Sequence, residues 1–173
     1  MSLGRLPQTS LQCLRCYTKF MEKIKAIVQR KPPLFLLISI GYLLLAGILK
    51  WNIHPNFSSL TFIIGGLLGI YFLDIAEVFF SLQPSPFRSV VFVAGLIIVS
   101  LFVITSSGSM LASGLVLSLF LTLLLWQIGE WELHKNLSDW YRMISGTVSN
   151  KTQQWILWAT ALIFIVETLL FVL

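Results

Sequence analysis

Residues 60–82 read LTFIIGGLLGIYFLDIAEVFFSL, an apolar run whose only charged residues are Asp74 and Glu77. A run of about 18 or more apolar residues, at a helical rise of 1.5 Å per residue, is long enough to cross the hydrocarbon core of a bilayer. The stretch therefore predicts a membrane-spanning helix. Its few polar residues are the first places to look for a function.

Four further stretches have the same character. Only 11% of the 173 residues are charged and the mean hydropathy is +0.87, whereas a soluble domain carries about 25% charged residues. We therefore expect an all-α, polytopic membrane helix bundle with five transmembrane helices and no separate soluble domain. The bundle should occupy residues 34–173, with spans at 34–50, 60–82, 88–105, 110–128 and 155–173.

The twelve Lys and Arg residues are distributed unevenly around these spans. Residues 1–33 form a basic segment with seven of them, and Lys50 alone falls on the opposite side of the expected bundle. Because positive loops are retained on the cytoplasmic side, we expect a cytoplasmic N-terminus and an external C-terminus. The expected location is a bacterial cytoplasmic membrane, with an organellar inner membrane as the alternative.

Two interpretations of the N-terminal segment remain open. Residues 1–20 contain no Asp or Glu, which is typical of a transit peptide but also of a disordered extension upstream of a start at Met21. The basic residues should attract anionic lipid head groups, and we expect no nucleic-acid partner. Cys13 and Cys16 lack the further ligands that a zinc site needs, so they are interpreted as unpaired thiols.

The carboxylates of the second span form the main candidate site. Asp74 and Glu77 are three residues apart and share one helix face. Ionised carboxylates cost about 2.5–3.5 kcal/mol at membrane depth, so they normally mark a site. Such a pair suits proton transfer or a cation site. The structural alternative is an ion pair of Asp74 or Glu77 with Arg88, which opens the next span.

Small residues indicate how the helices pack. Gly65 and Gly69 form a G-x-x-x-G pattern, which permits close approach of another helix, and this face could also receive another membrane protein or a second copy. In the fourth span, the small and polar residues Gly114, Ser118 and Thr122 recur every four positions. The same ladder continues through Trp126 to Glu130 and His134, beyond the membrane edge. We expect spans two and four to meet, with the carboxylates near Thr122, Trp126 or Glu130.

Several other polar residues are secondary candidates. Thr122 and Glu130 belong to the ladder, and His134 is the residue there whose charge changes near neutral pH, although a solvated histidine is the plainer interpretation. Glu167, in the outer half of the last span, is expected to pair with Lys50 at the outer end of the first. The alternative is a protonated Glu167 that is hydrogen-bonded to a neighbouring helix.

The connection between spans four and five has helical periodicity. Its apolar residues recur at i, i+4, i+7, i+8 and i+11, with Lys135, Asp139 and Arg142 on the polar side. The apolar positions are Leu133, Leu137, Trp140, Tyr141 and Ile144. This pattern predicts an interfacial amphipathic helix at the cytoplasmic surface.

The order Leu73-Asp74-Ile75, then Arg88-Ser89, then Gly114-Leu115-Val116-Leu117-Ser118 resembles the inner-membrane metal-dependent hydrolase family. That family has the motifs P-D-x-D-H, H-R-x-x-T-H-S and G-x-x-x-x-H-x-x-x-D. Only Asp74, Arg88 and Ser89 match, and the histidines are absent at every corresponding position. The resemblance therefore implies a shared helical scaffold without a metal site.

Three classes of function remain. We expect a non-enzymatic bundle or accessory subunit that packs through its glycine and small-residue faces, because the sequence contains no nucleophile–base pair, phosphate loop or metal cluster. The alternative is a proton- or cation-coupled carrier component that uses Asp74 and Glu77. The second alternative is a degenerate relative of the hydrolases. No cofactor and no metal are expected, and the lipid bilayer is the expected partner.

Overall fold

The computed structural model describes residues 33–52, 56–80, 85–144 and 148–173. Within these ranges the chain is helical and contains no strand. Five of its helices are long and apolar enough to cross a membrane, so the prediction of five membrane-length helices is confirmed. The predictions for Cys13, Cys16 and Met21 lie outside the described residues.

The five long helices are connected by short segments. They are α1 (Pro33–Trp51), α2 (Phe57–Phe80), α3 (Val90–Phe102), α4 (Met110–His134) and α5 (Asn150–Val172). A π-helical turn, Val103–Ser107, continues α3, and a 3₁₀ turn, Ser138–Tyr141, lies between α4 and α5. The side chain of Ser89 accepts a hydrogen bond from the Phe92 amide and so caps the start of α3.

Aromatic contacts show how the helices are oriented. At one end of the bundle, which we call the Lys50 end, Trp51 of α1 lies 5.6 Å from Phe62 of α2, measured between ring centroids. Phe62 in turn stacks on Phe171 of α5 at 4.8 Å. At the other end, the Arg88 end, Phe35 of α1 contacts Trp126 of α4. Helices α1, α3 and α5 therefore run from the Arg88 end to the Lys50 end, and α2 and α4 run back.

The tightest packing joins α2 to α4. A Cβ atom on Gly65 would overlap the carbonyl of Leu111, and one on Gly114 would overlap the carbonyl of Phe62. Since backbone faces backbone at these positions, only glycine lets the two helices approach so closely. The expected meeting of spans two and four is confirmed. The Gly65 face is thus filled by the chain's own α4.

Helix α4 is the centre of the bundle and the most buried of the five helices. The other helices surround it and leave large apolar side chains on the outside. On α1, for example, Leu37 is 72% exposed while Leu43 on the opposite face is buried. Apolar residues on the outer faces are what a bundle surrounded by lipid requires, because lipid tails are as apolar as these side chains.

The predicted amphipathic helix between spans four and five is not confirmed. Helix α4 continues to His134 and is capped by Lys135, whose φ of 52° is left-handed and stops the helix. Beyond it, Leu137 and Trp140 turn inward and are buried, while Leu133 is 80% exposed. The side chain of Gln153 holds this turn, because its Oε1 accepts from the Leu137 amide at 2.8 Å.

Candidate functional site

Glu77 and Arg88 form an ion pair at the Arg88 end. Arg88 Nε lies 3.0 Å from Glu77 Oε1, and Arg88 Nη2 lies 3.1 Å from Glu77 Oε2. Two parallel charge-assisted hydrogen bonds fix the geometry as well as the distance. The Glu77 side chain is 7% exposed and that of Arg88 is 33% exposed. The structural alternative that we considered from the sequence, an acid of α2 paired with Arg88, is therefore present.

Trp126 completes this arrangement from a third helix. The Arg88 guanidinium carbon lies 4.2 Å from the centroid of the Trp126 ring, within the range of a cation–π interaction. The Glu77–Arg88–Trp126 cluster thus connects α2, the start of α3 and α4 through one guanidinium. Because guanidinium is planar, it can stack on the indole and still offer its edge to a carboxylate.

Asp74 lies one turn deeper on the same face of α2 and is 1% exposed. The glycine contacts pair Gly65 with Leu111 and Gly69 with Leu115, so the two helices run parallel. Thr122 of α4 is fully buried, and within the described ranges its hydroxyl has no hydrogen-bond partner.

Glu130 and His134 take different positions. The indole Nε1 of Trp140 donates to Glu130 Oε2 at 2.9 Å, and Trp140 is 1% exposed. This bond fastens the 3₁₀ turn to the end of α4. His134 is the last residue of α4 and is exposed. The structure therefore brings Glu130 close to the site and leaves His134 at its rim.

Two cavities near the Glu77–Arg88–Trp126 cluster share Glu130 in their linings. The first, the polar cavity, has a volume of about 170 Å³. It is lined by Ser85, Arg88, Glu130, Asp139, Trp140 and Arg142. The second, the apolar groove, has a volume of about 390 Å³. It is lined by Phe35, Leu125, Trp126, Gly129, Glu130, Leu133 and His134.

Glu167 and Lys50 are not joined in the way that the sequence suggested. Glu167 is fully buried, and Ser100 of α3 donates to its Oε1 at 2.8 Å. Lys50 instead donates to the carbonyl of Phe171 and lies 4.6 Å from the centroid of that ring. The expected ion pair is thus replaced by the alternative, a hydrogen bond from a neighbouring helix, because Ser100 occupies the position opposite Glu167.

The sequence interpretation did not select several polar residues that the structure brings to this end. Ser85, Asp139 and Arg142 line the polar cavity, and Gln127 is 3% exposed within α4. Gln127 could have been selected from the sequence, since it is a polar amide within the expected fourth span. Ser85 was not, because its position depends on the turn before α3.

Within the described ranges, no group of three or more His, Cys, Asp or Glu side chains could hold a metal ion. Comparison with known proteins found no matching family model, no matching curated protein and no matching solved structure. Fold and site together define a helical protein with five membrane-length helices and a polar cluster at one end.

Proposed function

We propose that this chain is a multi-pass membrane protein without catalytic activity, which acts as a helix bundle or accessory subunit. The observation that supports this is the Glu77–Arg88–Trp126 cluster. Both oxygens of Glu77 receive hydrogen bonds from one guanidinium, and that guanidinium is stacked on an indole. Two parallel hydrogen bonds hold the pair in one geometry, which suits joining helices better than moving a substrate.

The proposed orientation has the Arg88 end in the cytoplasm. Four of the five Lys and Arg residues in the described ranges belong to this end, and Lys50 belongs to the other. This distribution agrees with retention of positive loops on the cytoplasmic side. A reporter that is active only in the cytosol, fused after Leu173, should be inactive, and a fusion in the turn at Ser138 should be active. An active fusion after Leu173 would contradict the orientation.

The proposed partners are the lipid bilayer and another membrane protein. Because α4 fills the face with Gly65 and Gly69, the remaining surfaces for a partner are the outer faces of the surrounding helices. These faces carry exposed leucine and isoleucine side chains such as Leu37 and Ile98. The location that we propose is a bacterial cytoplasmic membrane, with an organellar inner membrane as the alternative.

The decisive experiment separates stability from function at Glu77. In Glu77→Gln, the neutral amide has one oxygen acceptor where the carboxylate has two, so it cannot accept both hydrogen bonds from the guanidinium. We therefore expect a loss of about 1–3 kcal/mol of folding free energy. The matched control is Glu132→Gln, because Glu132 forms an exposed pair with Lys135 at 2.9 Å, a type of pair worth about 0–1 kcal/mol. Abundance and the thermal midpoint in detergent are measured for both variants. A normal midpoint for Glu77→Gln together with a lost cellular phenotype would favour a transport site.

A carrier component is the second candidate. It is favoured by the burial of two carboxylates, Asp74 and Glu77, on one face of α2. Purified protein in liposomes that contain a pH-sensitive dye would then carry protons or cations, and Asp74→Asn would abolish the flux without lowering the thermal midpoint. Flux equal to that of empty liposomes would eliminate this candidate.

The resemblance to the metal-dependent hydrolases gains no support from the contacts of the matching residues. Arg88 binds Glu77, and the hydroxyl of Ser89 donates to the carbonyl of Pro86 at 2.9 Å. Both side chains make contacts that stabilise the turn before α3 and the start of that helix, and neither contact indicates catalysis.

A further inference from the structure

Among the residues that the structure describes, the polar cavity is lined by equal numbers of positive and negative side chains. Arg88 and Arg142 are the cations, and Glu130 and Asp139 are the anions. A cavity for a simple anion would be lined by an excess of cations. A lining with both signs and no net charge is instead complementary to a ligand that carries both charges itself.

Both arginines retain donors for a ligand. A guanidinium has five N–H donors, and Glu77 receives the bonds from Nε and Nη2 of Arg88. Arg142 uses Nη2 for Asp139 at 3.2 Å. Ser85 also lines the cavity, and its buried hydroxyl has no hydrogen-bond partner within the described ranges. Two guanidinium groups and a hydroxyl are suitable donors for phosphate oxygens.

The apolar groove lies directly beside this cavity. Glu130 lines both spaces. Trp126 lines the groove, and its ring stacks against the guanidinium of Arg88. Leu125 and Leu133 provide an apolar wall. A polar cavity that adjoins an apolar groove at the end of a membrane-length helix fits an amphiphile, with its head group in the cavity and its chain in the groove.

We propose that the polar cavity and the apolar groove together bind one membrane phospholipid whose zwitterionic head group carries a primary ammonium. The phosphate accepts hydrogen bonds from Arg88, Arg142 and Ser85. The ammonium donates to the carboxylates of Glu130 and Asp139.

The lining also selects among head groups. A primary ammonium has three N–H donors for carboxylates, whereas a quaternary ammonium has none and is recognised by a cage of aromatic rings. The polar cavity contains one aromatic side chain, Trp140, among the residues described. An ethanolamine head group is therefore favoured over a choline head group. A zwitterionic head group is also favoured over the anionic glycerol head group. This inference depends on the membrane location of the chain and is independent of the accessory role proposed above.

The test uses the full-length protein, freed of lipid in detergent. Dioleoyl phosphatidylethanolamine, phosphatidylcholine or phosphatidylglycerol is added in mixed micelles, and the thermal midpoint and the lipid-bound fraction in native mass spectrometry are measured. Arg142→Gln removes a cavity cation. Lys135→Gln is the matched control, since both residues form exposed i,i+3 pairs with an acid and Lys135 is absent from the cavity lining.

We expect phosphatidylethanolamine to bind most tightly to the wild type, with about tenfold weaker binding in Arg142→Gln and unchanged binding in Lys135→Gln. Glu130→Gln keeps an acceptor for Trp140 but makes the lining positive, so its preference should change to phosphatidylglycerol. Equal binding of all three lipids to the wild type would overturn the proposal, and this result needs no variant. A stabilisation by inorganic phosphate alone that depends on Arg142 would also overturn it, by identifying a free-anion site.

Discussion

The contact between α2 and α4 predicts that one methyl group on Gly65 destabilises the whole bundle. A Cβ atom there overlaps the Leu111 carbonyl oxygen and lies 2.9 Å from its carbonyl carbon and 3.1 Å from its Cα. Carbon atoms pack without repulsion at about 3.5–4.0 Å, so the two helices must separate by roughly 0.5–1 Å. No rotation of a side chain relieves the overlap, because all three atoms belong to the backbone.

The magnitude follows from two opposing effects. Overpacking of this kind costs about 1–3 kcal/mol, and a gap of about 0.5–1 Å forfeits a quarter to a half of each dispersion contact along the interface. Alanine is better than glycine in a helix by about 1 kcal/mol, which offsets part of the loss. We expect Gly65→Ala to lower the folding free energy by about 1–2 kcal/mol. For a chain of this length, that is roughly 2–8 °C in the thermal midpoint.

The control for this prediction is Gly95→Ala on α3. A Cβ on Gly95 meets nothing within 4 Å, so this variant gains the helical preference of alanine without a clash. Both variants are purified in the same detergent and unfolded by heat, with helicity followed by circular dichroism. If Gly65→Ala is as stable as Gly95→Ala, the close approach of α2 and α4 is refuted.

Three other substitutions have expected outcomes. Ser100→Ala should cost about 1–3 kcal/mol because it leaves buried Glu167 without its donor. Ser39→Ala should cost less, since the hydroxyl of buried Ser39 donates to the carbonyl of Phe35 in its own helix. Equal thermal midpoints of the two variants would contradict this. Gln153→Leu removes the acceptor for the Leu137 amide and the donor to the Val148 carbonyl, and limited proteolysis should then cut between α4 and α5 faster than in Gln154→Leu. Burial raises the pKa of Tyr141, so the tyrosine ionises first in the unfolded state, and stability should fall as the pH rises above about 10. Tyr141→Phe should lose less stability over this range. The same pH profile in both proteins would contradict this prediction.

The positions of the helices were largely predictable because hydropathy reports them directly. The first span was expected at residues 34–50 and is Pro33–Trp51. The fourth was expected to stop at residue 128, yet α4 continues to His134. Polar residues such as Glu130 and Glu132 lower the hydropathy without interrupting the helix. Hydropathy therefore located the apolar part of α4 but underestimated the length of the helix.

The side-chain pairs were predictable only where the chain constrains them. Glu77 and Arg88 are 11 residues apart in the sequence, so their meeting could be anticipated. Lys50 and Glu167 are distant in sequence, and opposite charge was the sole reason to pair them. Whether they meet depends on how α1, α3 and α5 rotate about their axes, which placed Ser100 opposite Glu167.

The amphipathic pattern after α4 shows a different limit. Helical spacing of Leu133, Leu137 and Trp140 was real, but periodicity does not reveal a backbone reversal. Lys135 adopts a left-handed conformation, which ends α4. Leu137 and Trp140 are buried after this reversal, at and within the 3₁₀ turn, and not as part of a continuous helix. A similar spacing can thus arise from two elements that share one buried surface.

The parallel pairing of α2 with α4 also constrains how the protein is made. These two helices are separated in sequence by α3, so the Gly65 face and buried Asp74 of α2 have no α4 against them until the fourth helix has entered the bilayer. In the membrane location that we propose, α2 waits in lipid during synthesis with a carboxylate at membrane depth, which is costly. A chain that stops after α3 would retain this unmatched surface permanently. Membrane quality control could recognise an incomplete chain by this exposed surface, and a finished bundle would conceal it.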